Sequence, residues 1–240
     1  GYMRTGAGIV CTGGKCMKKW MTYLILGAAV PAVVIGGALI FRGKQYAWIS
    51  LCAALLACVP FFLRFEHKST DPKNMILIAV LTALSVLGRI LFAPIPGFKP
   101  VTAMVVITAM YFGSEAGFLT GALSAVISNF YFGQGPWTPF QMMSWGLVGL
   151  LAGVLAQQLR RSRWVLAGYG AVAGVLYSFL MDIWTVLWAD GYFNLPRYLA
   201  AIISAAPFTA EYAVSNVIFL LLLAKPIGKI LNRIQVKYGL

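Results

Sequence analysis

FGQGPWTPFQM, residues Phe132 to Met142, lies between two membrane-length apolar segments. Gly133, Gly135, Pro136 and Pro139 disfavour a continuous helix, and Gln134, Trp137 and Gln141 beside them can grip a polar ligand. At membrane depth such backbone is tolerated only where protein buries it or where it lines a cavity. The stretch therefore predicts both a break between two membrane helices and a binding site at that break.

The rest of the chain fits this setting. Of its 240 residues 60% are hydrophobic and only 10% charged, whereas a soluble domain is about half apolar and a quarter charged. The fold class is an all-α, polytopic integral membrane protein. The net charge of +13 comes from basic residues in short clusters beside apolar runs. That is the pattern of topology signals, not of a nucleic-acid surface. Cys11 and Cys16 lie in the N-terminal extension. Cys52 and Cys58 share one apolar run but are turned about 600° apart on a helix, so they read as small packing residues.

Residues 1–16 lack periodicity and read as a disordered extension, a remnant or an upstream start, with Met17 opening MKKWMTYLIL. Gly13-Gly14-Lys15-Cys16 fails as a phosphate loop, because Ile9 stands where the first glycine belongs and Cys16 where Ser or Thr belongs. Eight apolar segments follow, at about 22–41, 46–63, 73–93, 100–112, 116–132, 138–157, 164–188 and 200–224. Most approach the ~20 residues needed to cross the hydrocarbon core. The domain reading is two extra N-terminal spans within 17–66 and a six-span core over 73–240, divided by the polar loop His67–Pro72.

With the N-terminus inside, the inner segments carry Arg4, Lys15, Lys18, Lys19, Arg64, Lys68, Lys73, Arg160, Arg161, Arg163, Lys225, Lys229, Arg233 and Lys237. The outer loops carry only Arg42, Lys44, Lys99 and Arg197. This asymmetry predicts both termini in the cytoplasm. Three loops rich in aromatic, Pro/Gly and polar residues then share the outer face: Ala93–Pro100, Gly133–Pro139 and Trp188–Arg197. They suit a ligand mouth or an interfacial aromatic belt.

Enzymatic equipment is missing. His67 stands without a neighbouring Cys or paired carboxylates, no HExxH helix is present, and no Ser–His arrangement or nucleotide motif is seen. No catalytic residue, metal or cofactor is expected. The polar residues in or near spans are Arg89, Asn129, Gln141, Asp182, Glu211 and Asn216; such groups face the interior, pair, or contact substrate. Arg89 suits either snorkelling or a site. Asp182, followed by Trp184 and Trp188, suits a heteroaromatic ligand or a structural pair with Arg89. Small residues recur at four-residue spacing, as Ala79/Ala83, Gly117/Gly121/Ala125 and Gly149/Gly153, and such stripes let helix backbones approach closely.

From Asn74 onward the chain resembles a substrate-binding S component of an energy-coupling factor (ECF) vitamin transporter. The resemblance rests on the six-span core, AVLTAL from Ala79 to Leu84, the run EAGFLTGALSAVISNFYFGQGPWTPFQMMSWGLVGLLAG from Glu115 to Gly153, and the basic C-terminus ending KYGL. It implies capture of a micronutrient at an extracellular pocket and association with a coupling membrane subunit and two cytoplasmic ATPases. It further implies that Ala79 and Ala83 face the coupling subunit, and that the S component topples to deliver its cargo. The extra pair of spans departs from the minimal pattern of that family.

The resulting expectation is a non-enzymatic binding subunit in the plasma membrane of a prokaryote, with no nucleic-acid partner. Asn129, Gln134, Trp137, Gln141 and Asp182 are expected at the ligand, Trp188, Tyr192 and Lys99 at the mouth, and Arg89 beside them. The resemblance favours cobalamin or a related corrinoid, with queuosine precursors and flavins as alternatives. A stand-alone ion-coupled carrier and an intramembrane enzyme are the rival readings.

Overall fold

The computed structural model describes residues 72–135, 137–190 and 193–238, with isolated positions between Leu24 and Leu56. The expected extension 1–16, most of the two extra spans, the four cysteines, His67 and Tyr192 lie outside the described residues. Every element among the described residues is a helix: α1 Pro72–Leu91, α2 Val101–Phe112, α3 Ser114–Phe132, α4 Thr138–Val154, α5 Ala156–Arg161, α6 Arg163–Asp190 and α7 Leu195–Tyr238. Pro72 opens α1, where its missing N–H is harmless. Gly113 (φ 93°) and Gly133 (φ 98°) end α2 and α3 in the left-handed region that a Cβ would strain.

The protein is a polytopic helical membrane protein. Among the described residues three helices are long and apolar enough to cross a bilayer alone: α1, α6 and α7 through Lys237. The twelve-residue α2 is not, at about 18 Å against a hydrocarbon thickness of about 30 Å. It is instead the core, with every residue from Val101 to Met110 buried. That burial accounts for its uniform apolarity, because a helix surrounded by protein has no polar face to present.

Small residues set the helix spacing. A Cβ at Gly117 would lie 2.7 Å from the Gly149 carbonyl oxygen, and one at Gly121 would lie 2.5 Å from that of Trp145. The glycine stripes of α3 and α4 are thus internal packing, pressing backbone on backbone. Gly174 on α6 likewise lies against the backbone of Tyr212 and Ala213 on α7. Ala79 and Ala83 behave differently: both are exposed on α1, on a face with Ile76, Val80, Leu84 and Leu87.

Some segment limits differ from those read in the sequence. The apolar run 138–157 breaks at Leu155 into α4 and the short α5. The segment expected at 200–224 is part of the 44-residue α7, which carries Pro207 and Pro226 internally. Both ends of the loop expected from Trp188 to Arg197 are helical, because α6 continues to Asp190 and α7 begins at Leu195.

Candidate functional site

The α1–α2 connection packs against the end of α3 and the middle of α7, and the α3–α4 connection packs against α6. Lys99 Nζ lies 5.9 Å from the centre of the Phe132 ring, and Trp137 on the α3–α4 connection meets Trp184 of α6 edge-to-face at 6.1 Å. The Lys99 backbone N–H donates to Ser215 Oγ of α7 at 3.0 Å.

Beside these connections lies a buried polar network. The Arg89 guanidinium donates to Ser128 Oγ and, at 2.8 Å, to Asn129 Oδ1. Asn129 Nδ2 donates to Thr138 Oγ1 and to Gln141 Oε1, both at 2.9 Å. Gln141 Nε2 reaches the Tyr177 hydroxyl at 3.3 Å. Thr138 Oγ1 in turn donates to Gln134 Oε1 at 3.0 Å and accepts from the Gly135 N–H. The stretch around Gly135 is thereby pinned by side chains that lipid could not replace. Asn129 is fully buried and uses both amide ends, as a buried amide must.

Aromatic rings frame the network. Trp145 and Tyr177 stack with centroids 5.1 Å apart and planes 15° apart, and Tyr212 meets Tyr177 edge-on at 5.3 Å. The Arg89 guanidinium carbon lies 4.7 Å from the centre of the Phe132 ring and 5.0 Å from that of Trp145. Arg89, Lys99, Val101, Thr102, Gln141, Trp145, Tyr177, Tyr212 and Asn216 enclose a cavity of about 40 Å³. Among the described residues its lining holds two cations and no carboxylate. Partial burial, and next the nearby Arg89 charge, hold the Lys99 ammonium below the usual lysine range. A wider cleft of about 350 Å³ lies outside it, between the α1–α2 connection and α7, with Glu211 its only ionisable side chain among the described residues. The smaller cavity carries the richer recognition chemistry.

The expected site residues separate into groups. Arg89, Lys99 and Gln141 line the cavity. Asn129 stands one hydrogen bond behind it. Gln134 is exposed and spends its amide on Thr138 and the Val126 carbonyl, so it organises the turn and does not line the cavity. Trp137 and Trp188 belong to a neighbouring column with Trp184. Asp182 is buried but is neither in the cavity nor paired with Arg89; among the described residues its Oδ2 has no hydrogen-bond partner. Among the alternatives for Arg89, snorkelling is excluded by its buried hydrogen bonds.

Trp145, Tyr177, Tyr212, Thr102 and Asn216 line the cavity without having been singled out as ligand residues. Helical spacing carried part of the signal: Trp145 lies four residues after Gln141, and Asn216 four after Tyr212, so each pair shares a face. Tyr177 carried none, being one aromatic among many on an apolar helix.

A membrane helix bundle whose one end holds an aromatic, cationic cavity, without a metal-binding cluster among the described residues, has the form of a solute-binding membrane protein. The family model for "ECF-type riboflavin transporter, S component" matches residues 69–233, and the chain belongs to that family. No curated protein and no solved structure matches it. The protein is therefore a substrate-binding subunit of an ECF-type vitamin transporter, and not an enzyme.

Proposed function

We propose that the Arg89–Tyr177 cavity binds a flavin, with riboflavin as the first candidate, and that the pocket end faces the cell exterior. The observation that carries this reading is the stacked Trp145–Tyr177 pair flanked by Arg89, Lys99 and Gln141. A flavin offers a planar heteroaromatic face for stacking and a carbonyl-rich edge for cationic and amide donors. The riboflavin in the family's description points the same way. A corrinoid, favoured by the sequence resemblance, is several times bulkier and requires a correspondingly larger opening of the cavity.

At about 40 Å³ the cavity is far below the roughly 300 Å³ at which vitamin-sized sites begin. Binding is thus coupled to opening of the cavity. The α1–α2 connection, held to α7 by the Lys99–Ser215 hydrogen bonds, is the element whose release enlarges it. In this reading both termini are cytoplasmic in a prokaryotic plasma membrane. A coupling subunit docks on the exposed Ala79/Ala83 face of α1, and two ATPases supply the energy.

Titrating purified protein with riboflavin tests the ligand, since stacking on Trp145 quenches flavin fluorescence. Saturable quenching is expected, with riboflavin as the retained compound in mass spectra. A retained corrinoid with no flavin response would refute the assignment. Full uptake in cells lacking the coupling subunit and ATPases would instead favour an autonomous carrier.

A further inference from the structure

The end of the bundle opposite the pocket carries a basic surface that flavin capture does not use. From it we infer a binding site for anionic phospholipid headgroups along the C-terminal part of α7. Lys225, Lys229 and Arg233 recur every four residues, so they form one stripe that starts where the apolar run Val217–Ala224 ends. All three are exposed. The opposite stripe is anchored: Ala224 and Leu231 are buried in the core shared with Leu159 and Leu166.

A second basic element converges on the stripe. Arg160 of α5 stacks over the Tyr111 ring at 5.6 Å, and the Tyr111 hydroxyl sits against Gly228 of α7. One tyrosine thus joins the Arg160–Arg163 turn to the Lys229 neighbourhood. Glu115 is the one carboxylate at this end among the described residues. The apolar neighbours favour a membrane over an acidic protein: Trp164 is 88% exposed beside Arg163, and Ile230 is 58% exposed beside Lys229. Cations at the hydrocarbon boundary, mixed with an exposed indole, match the headgroup layer of an anionic leaflet.

The test is native mass spectrometry of full-length protein equilibrated with equal phosphatidylglycerol and phosphatidylcholine. Wild type is expected to retain phosphatidylglycerol preferentially. In Lys225→Gln/Lys229→Gln/Arg233→Gln that preference is expected to fall by about fivefold per cation removed. Should that variant fail to fold, Arg161→Gln/Arg163→Gln gives the same readout, with the thermal unfolding midpoint in detergent as the control for folding. Equal retention of both lipids overturns the proposal, as does an unchanged preference in the variants. Displacement by inorganic phosphate marks a simple anion site and overturns it too. So does a variant that loses coupling-subunit or ATPase capture in pure phosphatidylcholine while keeping the wild-type lipid preference, which marks an acidic protein partner. The lipid readout contains no flavin, so failure of the flavin assignment leaves it interpretable.

Discussion

Asn129 Oδ1 accepts a hydrogen bond from Arg89 Nη1 at 2.8 Å, tying the end of α1 to the end of α3. The nitrogen of the same amide donates to Thr138 and Gln141, so one buried side chain holds α1, α3 and α4 together. Asn129→Ala leaves Arg89 with fewer acceptors and Gln141 Oε1 without its donor. A loss of about 1–3 kcal/mol is expected, read as a lower thermal unfolding midpoint in detergent. An unchanged midpoint would show that water substitutes for the amide.

Gly117 and Gly149 leave no space between α3 and α4. Gly117→Ala is expected to destabilise by about 1–3 kcal/mol, because the obstructing atoms are the Ala109 Cβ and the Gly149 backbone carbonyl, neither of which can rotate away. Gly168→Ala meets nothing within 4 Å and serves as the control, with little or no loss expected in the same unfolding measurement.

Ala79 and Ala83 are exposed, so Ala79→Leu/Ala83→Leu should keep stability within about 0.5 kcal/mol. Riboflavin binding should also persist. Capture of the coupling subunit should fail, read by co-purification. Intact capture would move the docking face elsewhere on the bundle.

Trp145 supplies a stacking plane to the cavity. Trp145→Ala is expected to weaken riboflavin binding by roughly tenfold and to relieve fluorescence quenching, while Trp145→Phe weakens it less. Equal affinities for both variants and wild type would remove Trp145 from the ligand contact.

Lys99 makes stability depend on alkaline pH. Its folded value is lowered, first by burial and then by Arg89, so between the folded and unfolded values only the unfolded chain holds the proton. Stability contributed by Lys99 therefore rises as pH rises through that window, and is lost as pH falls through the folded value. Relative to Lys99→Met, wild type should gain stability on going from neutral toward the ordinary lysine range. A flat difference between the two unfolding curves contradicts this.

The helices were legible because each apolar run between Pro72 and Tyr238 must bond its own backbone in lipid. Arg89, Asn129 and Gln141 were legible as site candidates because a polar group in a span must have a partner. Asp182 met the same criterion and lies elsewhere, since the rule identifies polar groups needing a partner without saying which partner they meet. Gln134 looked equally suited to a ligand, but its amide is committed to a backbone carbonyl eight residues earlier.

The sequence by itself determined the membrane class, the helix-breaking connections and the glycine stripes, because these follow from local composition and spacing under the constraint of lipid. Tertiary structure alone decided that α2 is buried on every side, that Ala79/Ala83 face outward while Gly117/Gly149 face inward, and that Tyr177 stacks on Trp145. The physical reason is that an apolar helix in a bilayer can turn almost any face to lipid at similar cost. Only the packing of the other helices selects which aromatic rings meet around a cavity.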